Sequence, residues 1–537
     1  MGRPSKRARR SSGENAYAGY QISRSGAPAI ERLSSPPTPR AFFENFIAKR
    51  KPVVLTCAAA ALGPSWRGST KWSAAYLDAV VGAAPVRIEQ RDTRTNPRAA
   101  FGRGHHSTMP FNTFQAKLRG GARDVYLTTQ DIAVDEEGRP ALVSTPCAEL
   151  LAAGDFVLRP PLAGGLVLMN ANLWYGSTGR RSGAQQQQQQ QLSGGSGGGG
   201  HAGSASAAAS ESASASTAHA GGLKMSGSSS GLHHDFHENF YVLLRGAKRF
   251  RLYSPVDALR LATVGTVRTV HPNGRIVYAE EGDGAMHKED AVLGDGSSSA
   301  ARAAMAASLA RDAAESTIAA ARVTIAEGVE VRGEVAVAAA QESLRVAEQA
   351  MEDALDAAMD AEMEWGDGDD FDDDEDGGGG RGGGSGSSTT AFGADTPSTS
   401  AVTVTPDNFS QIDLTLADDE VRSRWPMLEE CATLSVTVNA GELLYLPAGW
   451  FHEVTSLGES SVDEVLEVKG KERGGGTEAE KEEAAEKTKE VEGAHMAFNY
   501  WFHPPDTTNF EAPYSSDFWE WEWAQRGEGH GPRPAFT

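Results

Sequence analysis

His233 and Asp235 stand two residues apart in the stretch GLHHDFHENFYVLLRGAKRFRLYSP, Gly231 to Pro255. In an extended strand residues i and i+2 face the same side, so an imidazole and a carboxylate can converge on one ion while His234 points away. Asn239 to Leu244 is aromatic and aliphatic enough for a buried strand, Arg245-Gly246-Ala247 supplies a turn, and Lys248 to Tyr253 resumes the extended pattern. The stretch therefore reads as a strand, a hairpin and a returning strand. One histidine and one aspartate make half a metal site, and a third ligand has to come from elsewhere.

It comes from GELLYLPAGWFHEV, Gly441 to Val454. Leu443 to Leu446 reads as a short buried strand, Pro447-Ala448-Gly449 as a sharp turn, and Phe451 to Val454 as the next strand, carrying His452. Two histidines with one carboxylate are the facial triad of non-haem iron(II) oxygenases, which occupies three corners of an octahedron and leaves three open. Two open corners suit a bidentate 2-oxo acid and the third suits dioxygen. If the acid is 2-oxoglutarate, its distal carboxylate needs a cation, and Lys248, one turn beyond the first two ligands, can reach it. His237, His495 and His503 compete for the ligand roles. For His237 a local hydrogen bond is the simpler reading, because the strand is already entering the core.

The segments LHHDFHENFYVLLRGAKRFRLYSP, GELLYLPAGWFH and FNYWF, with the earlier PPTPRAFFENFIAKRKPVVL and KWSAAYL, resemble the Jumonji-C, or cupin-like, family of Fe(II)/2-oxoglutarate oxygenases. The resemblance runs from about Ser35 to about Trp523 and implies a mainly β fold, a double-stranded β-helix of jelly-roll type with flanking helices. It implies Fe(II) held by His233, Asp235 and His452, with dioxygen as cosubstrate. It also implies 2-oxoglutarate contacts from Lys248, from Ser230 and Asn239 flanking the first ligand pair, from Tyr126 of VYLTTQ and from Asn499 of NYWF. Within the family the motifs are most similar to the (3S)-lysyl hydroxylases, which implies a protein substrate, a developmentally regulated GTP-binding protein. Three other readings are histone or protein lysine demethylation, a non-catalytic binding module on the same fold, and a peptidase. The sequence has no clustered CxxC pairs of the chromatin-reader kind, no HExxH helix and no nucleophile motif to favour them.

The elements that must position these residues occupy only part of the 537-residue chain. Setting aside a basic arm over 1–34, a glutamine-, glycine- and serine-rich insert over 179–228, an insert over 281–400 and a charged insert over 457–493 leaves about 300 residues, enough for one barrel domain. The barrel domain would then be assembled from 35–178, 229–280, 401–456 and 494–537. Thr38 caps a helix over Arg40 to Lys49, with Phe42, Phe43, Phe46 and Ile47 on one face. Strands are expected over Pro52 to Leu55, Val86 to Gln90, Val125 to Thr129, Gly165 to Met169, Cys431 to Val438 and His495 to Phe502, and a helix over Trp72 to Val81. His105 and His106, with no carboxylate at a useful spacing, read as loop residues. Ala301 to Met363 has the composition of one or two helices with little apolar area, a surface excursion more than a coiled partner helix. Phe518, Trp519, Trp521 and Trp523 read as a packed helix or an oligomer contact, which would make a homodimer.

The formal charge of −22 is concentrated: Glu352 to Asp376 holds fourteen acids and no bases, and Thr455 to Glu492 twelve acids against six bases. Such blocks are solvated tails more often than docking faces, and they carry no nucleic-acid signal. Three scattered cysteines, Cys57, Cys147 and Cys431, are too few for a disulfide framework. With no membrane-length apolar run and no apolar leader, a soluble intracellular protein is expected, cytoplasmic or nuclear. The cluster RPSKRARR, Arg3 to Arg10, reads as an import signal or as an incidental basic tail.

Overall fold

In Thr433–Asn439 the residues Leu434, Val436 and Val438 are buried and the threonines and serine between them are exposed, the alternation of a strand that covers a core with one face. A computed structural model of the chain describes residues 13–24, 29–91, 104–136, 139–178, 228–279, 292–326, 330–366, 405–457, 491 and 493–526. The basic cluster, the glutamine-rich run, the acidic glycine-rich run and most of the charged insert lie outside the described residues.

Eight strands form the barrel: β1 (Leu168–Ser177), β2 (His233–His234), β3 (Glu238–Arg245), β4 (Ala247–Tyr253), β5 (Thr433–Asn439), β6 (Leu443–Leu446), β7 (Phe451–Leu457) and β8 (Ala494–Phe502). One sheet runs β5-β4-β7-β2. The other holds β6-β3-β8-β1 at its centre, extended on one side by Val53–Leu55 and Glu31–Leu33 and on the other by Val125–Leu127, Pro85–Gln90 and His105–Pro110. Their inner faces share one apolar cluster: Tyr241 and Leu243 from β3 meet Phe250 and Leu252 from β4, with Leu444 and Ala497 beside them. This is a mainly β jelly-roll, a double-stranded β-helix, and each buried leucine or phenylalanine in the cluster contributes about 1.5–3 kcal/mol by leaving water.

The hairpin expected at Arg245-Gly246-Ala247 is not one. β3 pairs with β6 and β8, and β4 with β5 and β7, so the turn at Gly246 carries the chain from one sheet to the other. A turn between paired strands and a corner between sheets have similar local sequences, and only the partners on either side distinguish them. Pro447–Trp450 makes the same kind of crossing between β6 and β7. Here Gly449 (φ +75°) approaches Gly274 so closely that a Cβ would lie 1.8 Å from its carbonyl oxygen, which no other residue tolerates.

The N-terminal section buttresses the barrel. Thr38 accepts a hydrogen bond from the Ala41 N–H and opens a helix over Pro39–Phe42, which widens into a π-helical turn over Phe43–Ile47. Arg50 adopts left-handed backbone (φ +54°) and forms a buried ion pair with Glu238, Nη1 to Oε1 2.7 Å, while the Tyr445 hydroxyl donates to the other carboxylate oxygen and Arg50 Nη2 donates to the Pro505 carbonyl. Burial pushes the Glu238 carboxyl upward and Arg50 and Tyr445 oppose it. The network pins the first residue of β3, three positions after Asp235. Removing one partner would leave the other charge buried, at about 3–5 kcal/mol.

Expected and observed elements otherwise agree within two or three residues, with two exceptions: the strand expected over Gly165 to Met169 runs over Leu168–Ser177, and His105 and His106 lie in the strand His105–Pro110, paired with Pro85–Gln90. The sequence there is polar because the strand is mostly exposed, which masked its extended pairing.

The described chain divides into two compact units, cut at 278/279, 404/405, 513/514 and 524/525, with the barrel in the first. In the second, helices Ser299–Ala326 and Glu330–Gly366 pack on each other. Ala307, Ala314 and Ala321 are buried at a seven-residue spacing, as are Ala340 and Ala347, so small side chains at heptad positions form the seam. The aromatic segment Phe518–Gln525 is helical, and the Trp519 indole N–H donates to the Asp295 carbonyl, 3.1 Å. Among the described residues no helix is long and apolar enough to cross a membrane.

Candidate metal centre

β2 and β7 are antiparallel neighbours, and their register sets His233 directly opposite His452. Cross-strand partners share a face, which is how two histidines from distant parts of the chain come to have ring centroids 4.3 Å apart. Asp235 follows β2 and is tied to the β6–β7 corner by a hydrogen bond from the Gly449 N–H to its carbonyl, 2.9 Å. One ligand atom from each of His233, Asp235 and His452 can be chosen so that all three lie within 4.8 Å of one another.

Both imidazoles are oriented by backbone. His233 Nδ1 lies 3.0 Å from the Gly231 carbonyl and His452 Nδ1 lies 2.9 Å from the Trp450 carbonyl. A carbonyl only accepts, so each Nδ1 carries the proton and each Nε2 presents a lone pair. His452 Nε2 lies 3.8 Å from Asp235 Oδ2. Two imidazole Nε2 atoms and a carboxylate converge here, the donor set of a divalent cation, with imidazole and carboxylate together suited to iron(II). Desolvation by the surrounding protein, aided by His452, lowers His233 to about 4 despite the opposing pull of Asp235, so the ring is neutral at pH 7. Burial pushes the Asp235 carboxyl up, but His452 and His233 outweigh it and hold the group below its usual range. Phe409 stacks on the His233 ring at 4.9 Å and 13°.

On the inner faces of β4 and β7, Leu252 opposes His452, Phe250 opposes Val454 and Lys248 opposes Ser456, so the lysine starts roughly 13 Å along the sheet from the metal end. A cavity of about 340 Å³ joins the two ends and takes in Tyr126, Ser230, Asn239 and Asn499. Lys248 is buried, donates to the Tyr126 hydroxyl at 2.9 Å and lies over the Tyr126 and Tyr241 rings. Among the described residues no carboxylate lies within ion-pairing distance of it, and burial lowers its ammonium to about 7. Tyr126 is itself held flat against His495, 5.6 Å at 22°, over Gly176, where a Cβ would come within 2.5 Å of the Tyr126 ring.

The remaining site residues sit in the same cavity with engaged polar atoms. The Ser230 hydroxyl accepts from the Val454 N–H at 3.0 Å and donates to the Gly231 carbonyl at 2.9 Å. Asn239 donates to Asp235 Oδ2, 3.2 Å, and accepts from Asn499 Nδ2, 3.1 Å. The competing histidines fall elsewhere: His495 backs Tyr126, His503 is buried at the end of the last strand, and His237 stacks on Trp501 (5.5 Å, 22°) in place of the local hydrogen bond expected for it.

Glu89, Trp174 and Phe409 also line the cavity and were not singled out from the sequence, and His106, read there as a loop residue, lines it too. Glu89 lies opposite Tyr126 on one side and His106 on the other, on one face of three adjacent strands. No spacing rule marks such residues, because strands far apart in the chain bring them together. Asn170, Asn172 and Trp174 did carry a signal: polar-bearing side chains at i, i+2 and i+4 on an otherwise apolar strand.

The family profile described as a cupin-like domain matches residues 39–508. JmjC domain-containing protein 4 of Schizosaccharomyces pombe is 27% identical to this chain over 532 residues, which take in 93% of the chain and 89% of that protein.

Proposed function

This chain belongs to the cupin-like domain family, and from that premise we propose that it is an Fe(II)- and 2-oxoglutarate-dependent oxygenase that hydroxylates a protein side chain. The observation that carries this reading is one cavity with three lone-pair donors at one end and a buried ammonium at the other. The JmjC domain in the relative's name is in keeping with it.

His233 and His452 would hold the iron through Nε2, and Asp235 through its carboxylate. Lys248 and the Tyr126 hydroxyl would hold the distal carboxylate of 2-oxoglutarate by charge and hydrogen bonding in a site that excludes water, where such contacts are strongest. Bound together, iron, 2-oxoglutarate and dioxygen supply decarboxylation to succinate and carbon dioxide, with the second oxygen atom inserted into an unactivated C–H bond. The chain's own contribution is orientation: backbone carbonyls fix both imidazoles, and Trp174 and Trp501, in edge contact with each other, line the cavity wall.

For the substrate we propose a lysyl side chain. The support is Glu89, a carboxylate at the cavity wall that can attract an ammonium, together with the resemblance of the motifs to Jumonji-domain protein seven, a (3S)-lysyl hydroxylase of developmentally regulated GTP-binding proteins. The test is incubation of such proteins with the purified enzyme, Fe(II) and 2-oxoglutarate, followed by mass spectrometry. Gain of one oxygen on a single lysine, dependent on 2-oxoglutarate, is expected; release of formaldehyde would point to demethylation. Glu89→Gln is expected to reduce kcat/KM for the protein substrate about tenfold, the order of a partly desolvated charge contact, while leaving substrate-independent succinate release unchanged.

A further inference from the structure

Four buried asparagines run in single file through the large sheet to the metal ligand. Asn170 Nδ2 donates to Asn172 Oδ1 (3.4 Å), Asn172 Nδ2 to Asn499 Oδ1 (3.2 Å), Asn499 Nδ2 to Asn239 Oδ1 (3.1 Å), and Asn239 Nδ2 to Asp235 Oδ2 (3.2 Å). All four are at most 4% exposed. Asn172 and Asn499 are directly paired across β1 and β8, and Asn499 reaches diagonally to Asn239 on β3.

Every amide points its NH2 toward Asp235, and groups with only one hydrogen-bonding sense fix that polarity. The Ser144 and Ala171 backbone N–H groups donate to Asn170 Oδ1, 3.0 and 2.8 Å, so the Asn170 nitrogen must face Asn172. The Trp174 indole N–H donates to Asn499 Oδ1, 3.0 Å, so the Asn499 nitrogen must face Asn239. The ionised Asp235 carboxylate only accepts, so Asn239 must turn its nitrogen to it. Asn172, between a donor on one side and an acceptor on the other, has no choice left.

We propose that this oriented amide chain positions the Asp235 carboxylate, and that Asn172 and Asn170 are positioning residues for the metal centre; the inference rests on the oxygenase reading above. Four buried amides are an expensive way to fill a strand face that leucine would fill without a desolvation penalty. Aligned hydrogen bonds polarise one another, so each link strengthens the donor presented to the carboxylate. The amides neither gain nor lose a proton near neutral pH, so the chain transmits orientation without offering a route by which Asp235 could be protonated. A ligand carboxylate held by such a partner presents a fixed oxygen to the ion.

The test measures Co(II) dissociation constants and the Co(II) electronic spectrum of the full chain for wild type, Asn239→Leu, Asn172→Leu and the double variant, with circular dichroism to establish folding. Asn239→Leu should weaken Co(II) binding roughly 10- to 100-fold. Asn172→Leu, one amide further back, should weaken it about three- to tenfold and shift the spectrum. In the Asn239→Leu background Asn172→Leu should have almost no further effect, because its influence passes through Asn239. Should Asn172→Leu fail to fold, Asn172→Ser, too short to bridge its neighbours, is expected to give the same loss. A folded Asn172 variant that binds Co(II) as tightly as wild type, or a loss that multiplies with that of Asn239→Leu, overturns the proposal. A wild-type protein that binds neither Co(II) nor 2-oxoglutarate overturns the oxygenase reading instead.

Discussion

At the His452 end of the cavity the protein supplies only lone pairs: two imidazole Nε2 atoms and a carboxylate within 4.8 Å of one another. At the Lys248 end it supplies a donor cation, set against tyrosine hydroxyl and rings with no carboxylate among the described residues to neutralise it. The two ends also differ in how they are held. Backbone carbonyls and an amide chain orient the lone pairs, whereas Lys248 is held by a single side-chain hydrogen bond and the faces of two rings. The first end is built for rigidity and the second for charge. A ligand bearing one chelating group and one distal anion, bound beside a divalent cation, complements both at once, and this is the chemistry of a 2-oxo dicarboxylate.

Breaking the metal end should have the larger effect. His452→Ala removes one of three ligands and is expected to abolish 2-oxoglutarate-dependent succinate release, reducing it to the level seen without iron. Equal release by variant and wild type would remove His452 from the site. Breaking the other end should leave the metal in place. Lys248→Ala is expected to raise the Kd for 2-oxoglutarate by about thirtyfold or more, the order of 2 kcal/mol lost when one partner of a buried charge pair is truncated. Co(II) affinity should be unchanged. If both fall together, the two ends are not independent and the comparison fails.

The metal end was the more legible of the two in sequence. His233 and Asp235 announce themselves by a two-residue spacing on an extended stretch, and His452 by its strand after a Pro-Ala-Gly corner. Lys248 was legible as a cation near the ligands, but its route there was not: a turn at Gly246 looks alike whether the next strand pairs with the last or crosses to the other sheet. Phe409 on His233 had no signal at all, since contacts between segments far apart in sequence depend on barrel closure. Asn170 and Asn172 alternated with apolar neighbours, a pattern that marks a shared face without revealing what the face meets. The seven-residue spacing of Ala307, Ala314 and Ala321 was present in the sequence too, yet alanine buries so little area that composition favoured a loose excursion over a packed pair of helices.

A smaller effect separates the ends by pH. Burial lowers the Lys248 ammonium to about 7, and an anion placed against it must raise that value again. Below pH 7 the lysine is already charged and 2-oxoglutarate affinity should be flat. Above pH 7 binding requires uptake of a proton, and affinity should fall about tenfold per unit until the bound-state pKa is reached. Tyr126, Tyr241 and His495 face the lysine, and burial raises both tyrosines and lowers the histidine, so none of them adds a charge change between pH 6 and 8. Calorimetry at pH 8 in two buffers of different ionisation enthalpy, on Mn(II)-loaded protein, should show close to one proton taken up, and none in Lys248→Arg. For folding the sign is opposite to that of a paired lysine: the depressed value destabilises the folded chain in full below about 7, and the penalty is relieved as pH rises toward the unfolded value of about 10.4.

The smallest effect decides what Ser230 belongs to. The resemblance implies a 2-oxoglutarate contact, but in the structure its hydroxyl accepts from the Val454 N–H and donates to the Gly231 carbonyl, the same carbonyl that orients His233. A serine that ties β7 to the approach of β2 serves the rigid end. Ser230→Ala then leaves the Val454 N–H without its acceptor and should lower stability by about 1 kcal/mol, read as a lower midpoint in urea with an unchanged slope. Co(II) affinity should weaken slightly, and the Kd for 2-oxoglutarate on the metal-loaded protein should not change. A variant of wild-type stability with weakened 2-oxoglutarate binding would move Ser230 to the cosubstrate, and would mean that its hydroxyl leaves Val454 when the ligand arrives.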